Sequence, residues 1–301
     1  MNETPLASLR GLRKWFGKKQ ALDGITLDIP AASIVGLIGA NGSGKSTLLR
    51  HLVGLYLPDA GSVTTLGRAA GELTPAELAR IGYVHQEGEL LEWMKVTQLL
   101  RYTAAYYPTW NRALEERYCA QFELPLDARV GTLSPGQRQM LAVLLAIAFE
   151  PDLLLLDEPA AAMDPLARRR FLDWLIELIQ APGRTIVISS HILTDVEKVV
   201  DRVVIMNQGR VLRDCAMDDL REEFLLVHLT PLAGALPREL PFGRVLECRR
   251  DDTGAQLILA GGDAARIQEI AERIGATAET ASLPLEELYR LVVEIMPGKG
   301  A

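Results

Sequence analysis

The chain has 301 residues, 49% hydrophobic and 24% charged, a balance that folds into packed domains and excludes a disordered chain. A formal net charge of −7 leaves no global basic field for a phosphate backbone, which excludes nucleic acid as the expected partner. The length suits one large α/β domain with a smaller companion. At the start, Met1-Asn2-Glu3-Thr4-Pro5 carries an early acid and a proline with no apolar core behind it, so no signal peptide is expected.

Ile34 to Ile38 is a short apolar run ending in glycine, the pattern of a strand covered on both faces of a parallel sheet. It leads into Gly39-Ala40-Asn41-Gly42-Ser43-Gly44-Lys45-Ser46, which fits G-x-x-x-x-G-K-[ST] and opens an apolar helical stretch. Gly39, Gly42 and Gly44 let this loop, with Asn41 and Ser43, turn its backbone N–H groups inward, and the helix adds a positive N-terminal dipole. Lys45 supplies a point charge for β- and γ-phosphates, Ser46 a hydroxyl for Mg²⁺ and Thr47 one for the α-phosphate. A glycine-rich turn with no ligand is the alternative, and the strand and helix on either side argue against it.

From Val96 to Phe122 the pattern is helical with a break at Tyr107-Pro108, so residues 87–133 read as a helical subdomain inserted into the α/β frame. Trp93, Tyr102, Tyr106, Tyr107 and Trp110 either line a groove on this subdomain or fill its core. Ser134 with Gln137 three residues on is a capping-box pattern, and Pro135 falls where its missing N–H costs nothing. The resulting helix terminus is expected to leave the Gly136 and Gln137 amides and the Ser134 hydroxyl free to face a phosphate. The longest strongly apolar run, Met140 to Phe149, is about half the roughly twenty residues of a membrane-spanning helix. Membrane contact is therefore expected through another chain.

Leu153 to Leu156 forms a second buried strand, and Asp157-Glu158-Pro159 places two carboxylates just past its C-terminal end, where open α/β sheets bind ligands. Asp157 suits Mg²⁺ held through water, and Glu158 suits accepting a proton from, or orienting, an attacking water. An exposed acidic turn is the alternative. Arg168 to Gln180 is amphipathic, with Phe171, Leu172, Leu175, Leu178 and Ile179 at helical spacing. Thr185 to Ile188 is a further buried strand, followed closely by His191. The alternation predicts a doubly wound α/β core.

Arg202 to Met206 and Arg210 to Arg213 flank Asn207-Gln208-Gly209 as a hairpin, and the first domain, residues 1–220, is expected to close at Leu220. Residues 221–301 read as a small α+β domain: a strand at Phe224 to Leu229, a hairpin at Asp252-Thr253-Gly254, and helices at Asp263 to Ile274 and Leu285 to Ile295. Cys119, Cys215 and Cys248 match no disulfide or metal spacing.

Taken in order over residues 5–220, these motifs resemble the nucleotide-binding domain of ABC (ATP-binding cassette) transporters. Leu133-Ser134-Pro135-Gly136-Gln137 resembles the signature motif, and Gln86 in Tyr83-Val84-His85-Gln86-Glu87 the Q-loop. Ala161-Ala162-Met163-Asp164 resembles the D-loop and His191, after Ser189-Ser190, the switch histidine. Phe16, with Trp15 as the alternative, occupies the place of the aromatic that stacks on adenine. The resemblance implies a P-loop NTPase core of the ABC ATPase type with an inserted helical subdomain, and ATP hydrolysis with ATP and Mg²⁺. Implied at the nucleotide are Phe16, Gly39, Asn41, Gly42, Ser43, Gly44, Lys45, Ser46 and Thr47, joined across a head-to-tail dimer by Ser134, Gly136, Gln137 and Asp164. Ser46, Gln86 and Asp157 are implied at the metal, and Glu158, His191 and Gln86 in catalysis.

The implied partners are an integral membrane permease and a second ATP-binding subunit, in a homodimer or heterodimer, with no nucleic acid. The implied location is cytoplasmic, peripheral on the inner face of the membrane, and the aromatic groove would then receive a permease's coupling helix. Tyr106-Tyr107-Pro108-Thr109-Trp110 and Leu283-Pro284-Leu285-Glu286-Glu287-Leu288-Tyr289 look most like the bacterial ABC-2 group, many of which serve exporters, so export is the expected direction. A soluble ABC ATPase with a non-transport role is the alternative, but the long coiled-coil insertion or second cassette of such proteins is not seen. Pro135 stands where the family usually has glycine, Ala160 where threonine is frequent, and Ala161-Ala162-Met163 in place of a small-Gly-Leu sequence. The Pro135 departure is expected to leave activity intact, and the D-loop departures bear on communication across the dimer, not on nucleotide chemistry.

Overall fold

Ala7–Phe16 (β1) and Lys19–Ile29 (β2) pair antiparallel, with three register shifts along the pair. The chain then forms Ile34–Ile38 (β3), buried along its whole length, and the helix Lys45–Leu52 (α1). It returns to β1 as Ala60–Thr65 (β4) and Arg68–Ala69 (β5), completing a four-stranded sheet in the order β2-β1-β4-β5. The computed structural model describes residues 4–86, 90–161, 163, 165–179 and 183–295. Glu87, Ala162, Asp164 and Gln180, all named above, lie outside them.

After the short helix Pro75–Leu78 (α2) come Ile81–Val84 (β6) and the helices Val96–Ala104 (α3), Arg112–Gln121 (α4) and Pro135–Ile147 (α5). Leu153–Asp157 (β7), Pro165–Ile179 (α6), Thr185–Ser190 (β8), Leu193–Val196 (α7), Arg202–Asn207 (β9) and Arg210–Ala216 (β10) follow. The second sheet has the order β10-β9-β3-β8-β7-β6, and β9, β3, β8, β7 and β6 run parallel. Its central strands are buried on both faces, which is why they read as unbroken apolar runs. β9 and β10 meet at Gln208 and Gly209, whose φ angles of 48° and 76° suit a tight hairpin.

Helix α1 sits at the centre of the first unit's core. Its Leu48, Leu49 and Leu52 are fully buried in one cluster with Leu9, Leu12, Leu22, Leu37, Leu155 and Val204. Each such leucine stabilises the fold by about 1.5–3 kcal/mol, so the helix that follows the glycine loop is anchored along its inner face. In the helical subdomain Tyr118 and Phe122 stack with centroids 5.3 Å apart, and both meet Trp174 of α6 edge-on.

The chain divides into compact units Met1–Asp214 and Cys215–Ala301, ahead of the boundary expected at 220. The reason is local: helix Met217–Glu223 (α8) runs directly into strand Phe224–Pro231 (β11). The second unit continues with Val245–Asp251 (β12), Gly254–Ala260 (β13), Ala264–Arg273 (α9), Ala276–Ser282 (β14) and Leu285–Arg290 (α10), then a π-helical turn to Ile295. Its antiparallel sheet has the order β12-β13-β11-β14. Val227, Leu229, Leu257 and Leu259 form a core with Ile267 and Ala271 of α9.

Candidate active site

The parallel register sets Ile38 beside Ser190 and Asp157 beside Ser189. The segments leaving β3, β7 and β8 therefore emerge together at the C-terminal edge of the sheet. Gly44 caps α1 with φ 108°, and a Cβ there would lie 2.8 Å from Leu22 Cδ2 and 2.9 Å from Ala21 O. At Gly39 a Cβ would lie 2.4 Å from Met206 O. Only glycine fits either position. Ser43 N–H donates to Ala40 O at 3.1 Å, Gly209 N–H to Ser43 O at 2.9 Å and Asp23 N–H to Gly209 O at 2.8 Å. The loop is thus buttressed by β2 and the β9–β10 turn.

A cavity of about 370 Å³ opens over this loop, lined by Phe16, Lys19, Ala21, Asn41, Gly42, Gly44, Lys45, Ser46, Thr47, Gln86 and Glu158. Phe16 faces it and Trp15 does not. Gly39 and Ser43 are not part of that lining, and the Ser43 hydroxyl is buried with no hydrogen-bond partner. Lys45 is 5% exposed. Its ammonium donates to Gly39 O at 2.7 Å and Ala40 O at 3.4 Å.

Ser46 Oγ and Ser189 Oγ both donate to Asp157 Oδ1, at 2.9 and 2.7 Å. Asp157 is fully buried and its Oδ2 has no hydrogen-bond partner. A buried carboxylate oxygen that no proton donor faces is stabilised by a cation. Among the described residues no group of three or more His, Cys, Asp or Glu could hold a metal. One carboxylate beside one hydroxyl is instead the sparse oxygen set that fits Mg²⁺, which keeps several waters. Ser189 was not singled out from sequence, although it stands in the Ser189-Ser190-His191 run, and it also accepts from Glu158 N–H at 2.9 Å.

Glu158 takes a left-handed backbone conformation, φ 49°, which costs about 1–3 kcal/mol in a non-glycine residue. That turn brings Glu158 Oε1 to 3.2 Å from Lys45 Nζ, an ion pair by distance whose angles fall outside hydrogen-bond geometry. Oε2 lies 2.7 Å from His191 Nδ1 and accepts from His191 N–H at 3.3 Å. A carboxylate only accepts, so Nδ1 carries a proton.

The signature residues lie elsewhere. Ser134, Pro135, Gly136 and Gln137 line a separate cavity of about 830 Å³ with the end of α4 and with α6. Their expected freedom is corrected: Gln137 N–H donates to Ser134 Oγ at 3.2 Å, and Ser134 N–H donates to Gln137 Oε1 at 3.1 Å. The reciprocal cap occupies the Gln137 amide, leaving Gly136 N–H and the Ser134 hydroxyl proton at the helix terminus. Among the aromatics, Tyr107 stacks on Phe149 at 3.9 Å and Trp110 bonds to Glu115. Trp93, Tyr102 and Tyr106 are exposed, so the cluster divides between core and surface.

A cradle of backbone amides, a lysine and two acidic residues at the edge of a parallel sheet are the tools of triphosphate chemistry, and they place this chain among the P-loop nucleoside triphosphatases. The profile of the ABC transporter family matches residues 22–161. The chain is 33% identical over 237 residues to the Nod factor export ATP-binding protein I of Rhizobium sp. (strain N33), covering 77% of this chain and 78% of that protein. It is 35% identical over 237 residues to the phosphonates import ATP-binding protein PhnC 1 of Pseudomonas aeruginosa (strain UCBPP-PA14), covering 71% and 85%. A solved ATP-binding subunit of an ABC transporter superposes with a TM-score of 0.65 at 29% identity, covering 72% of this chain and 92% of that one. The chain belongs to the ABC transporter family as an ATP-binding subunit, and ATP hydrolysis is that family's activity.

Proposed function

We propose that this chain drives export by hydrolysing ATP between two cassettes, coupled to a separate integral membrane permease. The carrying observation is the buried, unpartnered Asp157 Oδ2 beside the Ser46 hydroxyl and the Lys45–Glu158 pair. Phe16 stacks on the base, the loop amides and Lys45 hold the phosphates, and Thr47 takes the α-phosphate. Ser46 and Asp157, with Gln86, would hold Mg²⁺, which when bound neutralises charge on the phosphate oxygens. Glu158 accepts the proton of the attacking water, and His191, through Nδ1–H, fixes the carboxylate's orientation.

The signature residues share no cavity with Lys45 in one chain. This supports a head-to-tail dimer, homomeric or heteromeric, in which the Ser134 hydroxyl and Gly136 N–H of one copy complete the site of the other, with Gln137 holding their helix cap. Asp164, outside the described residues, is assigned to the same shared site. Among the described residues no helix is long and apolar enough to cross a membrane, and we place the chain on the cytoplasmic face through its permease. Export follows the likeness to the Nod factor protein and the ABC-2 resemblance. Residues 221–301 are proposed as an accessory domain.

The purified chain is expected to release phosphate from ATP only with Mg²⁺, at a rate rising more steeply than linearly with chain concentration, as dimerisation requires. It should also co-purify with an integral membrane protein after detergent extraction. Turnover that is indifferent to Mg²⁺, or strictly linear in chain concentration, overturns the dimeric site.

A further inference from the structure

We propose that the nucleobase signals to the Gln86 segment through a side-chain relay, Phe16–Tyr56–Arg50–His85, in which Tyr56 and Arg50 are positioning residues. The proposal rests on the reading of Phe16 as the base platform. Its ligand is a purine nucleotide, and its output is the backbone at the end of β6.

The relay begins where α1 stops. Gly54 adopts φ 74° just past the helix, and the N–H groups of Leu55 and Tyr56 both donate to Arg50 O, at 2.9 and 3.2 Å, as at a left-handed helix terminus. The Tyr56 ring then meets Phe16 edge-on, with centroids 5.4 Å apart at 65°. Arg50 Nη1 donates to the Tyr56 hydroxyl at 2.9 Å, with the guanidinium carbon 5.6 Å from the ring centroid. From its other arm, Arg50 Nη2 lies 2.5 Å from His85 Nε2. A guanidinium has no acceptor, so His85 Nε2 accepts and the proton of the neutral ring sits on Nδ1. The next residue, Gln86, lines the nucleotide cavity.

Two features separate this from a mere brace. The main-chain bonds to Arg50 O already terminate α1, so the side-chain links to Tyr56 and His85 are not needed to end the helix. The links also form an unbroken series of aromatic and hydrogen-bonded contacts from an exposed platform, Phe16 at 44%, to the residue preceding Gln86. A base stacked on Phe16 loads one end of that series. The phosphates reach Gln86 from the Lys45 side, so the relay gives the base its own route to the same residue.

The test compares the full-length chain with a non-hydrolysable ATP analogue and with inorganic tripolyphosphate, which lacks a base. The readout is amide hydrogen exchange of the peptide containing His85 and Gln86, both ligands being saturating. In the unmodified chain the analogue should slow exchange by roughly threefold or more beyond tripolyphosphate. Tyr56→Phe keeps the ring and drops the hydroxyl, and Arg50→Lys keeps the charge and drops the fork. Both should abolish that excess while analogue affinity stays within about threefold and the melting temperature holds. The proposal is overturned if the unmodified chain shows no excess, if both variants retain it, or if the excess disappears only together with the melting temperature. The platform reading fails separately, if Phe16→Ala leaves the affinity advantage of the analogue over tripolyphosphate unchanged.

Discussion

The Glu158→Gln substitution exchanges one carboxylate oxygen for an amide nitrogen inside two defined contacts. The amide oxygen can still accept from His191 Nδ1–H, which sits 2.7 Å from Oε2. The amide nitrogen turned toward Lys45 forfeits the 3.2 Å ion pair and cannot take up a proton. Lys45 keeps its bonds to Gly39 O and Ala40 O, and Asp157 with its two serine donors is untouched. Loss of a general base lowers turnover by about 10²–10⁴-fold, or roughly 2.7–5.4 kcal/mol of barrier at about 1.36 kcal/mol per decade. Nucleotide binding should survive within a few-fold, and with hydrolysis blocked, ATP should hold two chains together. Phosphate release, equilibrium binding of labelled ATP and sedimentation of the ATP-loaded protein check the three statements, with a melting curve to confirm folding. Turnover within about threefold of the unmodified chain would refute the reasoning and remove Glu158 from the reaction.

Two further predictions concern buried groups outside the reaction. Burial holds the His51 imidazole below its ordinary value of 6.5, and its Nε2 has no hydrogen-bond partner. The unfolded chain therefore takes up a proton near pH 6.5 that the folded chain refuses. His51's contribution to stability is complete above that pH and declines, by at most about 1.4 kcal/mol per pH unit, as pH falls toward the folded-state value. Denaturant unfolding from pH 7 to 5 should show a shallower slope in His51→Gln, and equal slopes would contradict the assignment. The Cys119 thiol is pushed up to about 11 by burial, with the Glu115 charge adding to it, whereas Cys248 is exposed. Iodoacetamide at pH 8 should therefore label Cys248 and spare Cys119 in the folded chain, as read by peptide mass mapping. Comparable labelling of both would show that the α4 face opens.

The site was legible where chemistry is written in consecutive residues. Gly39 to Thr47, Asp157-Glu158 and Ser189-Ser190-His191 each follow a buried strand, so an apolar run and its polar end could be read together. The antiparallel sheet of β1, β2, β4 and β5 escaped notice because three register shifts between β1 and β2 break the alternation that marks a strand. β14 escaped for a different reason: Ala276 to Ser282 is small and polar and, past Ala276, mostly exposed on a sheet edge, so it carries no period-two signal. Residues acting through space were invisible for want of a local pattern. Lys19 and Ala21 reach the cavity because β1 turns back at Gly17, and Arg50, 35 residues away in sequence, reaches His85 only because the fold brings the last turn of α1 to the residue that follows β6. The error over Gln137 was one of accounting, since a capping box and an unoccupied amide are incompatible claims on the same proton donor.

Gly209, which donates to Ser43 and accepts from Asp23, ties the cradle to a stretch of chain synthesised long after it. A growing polypeptide that has reached only the end of α5 already contains every glycine of the phosphate loop, yet lacks the clasp beneath it. The Ser43 carbonyl therefore waits for its donor until the β9–β10 turn has been made and docked.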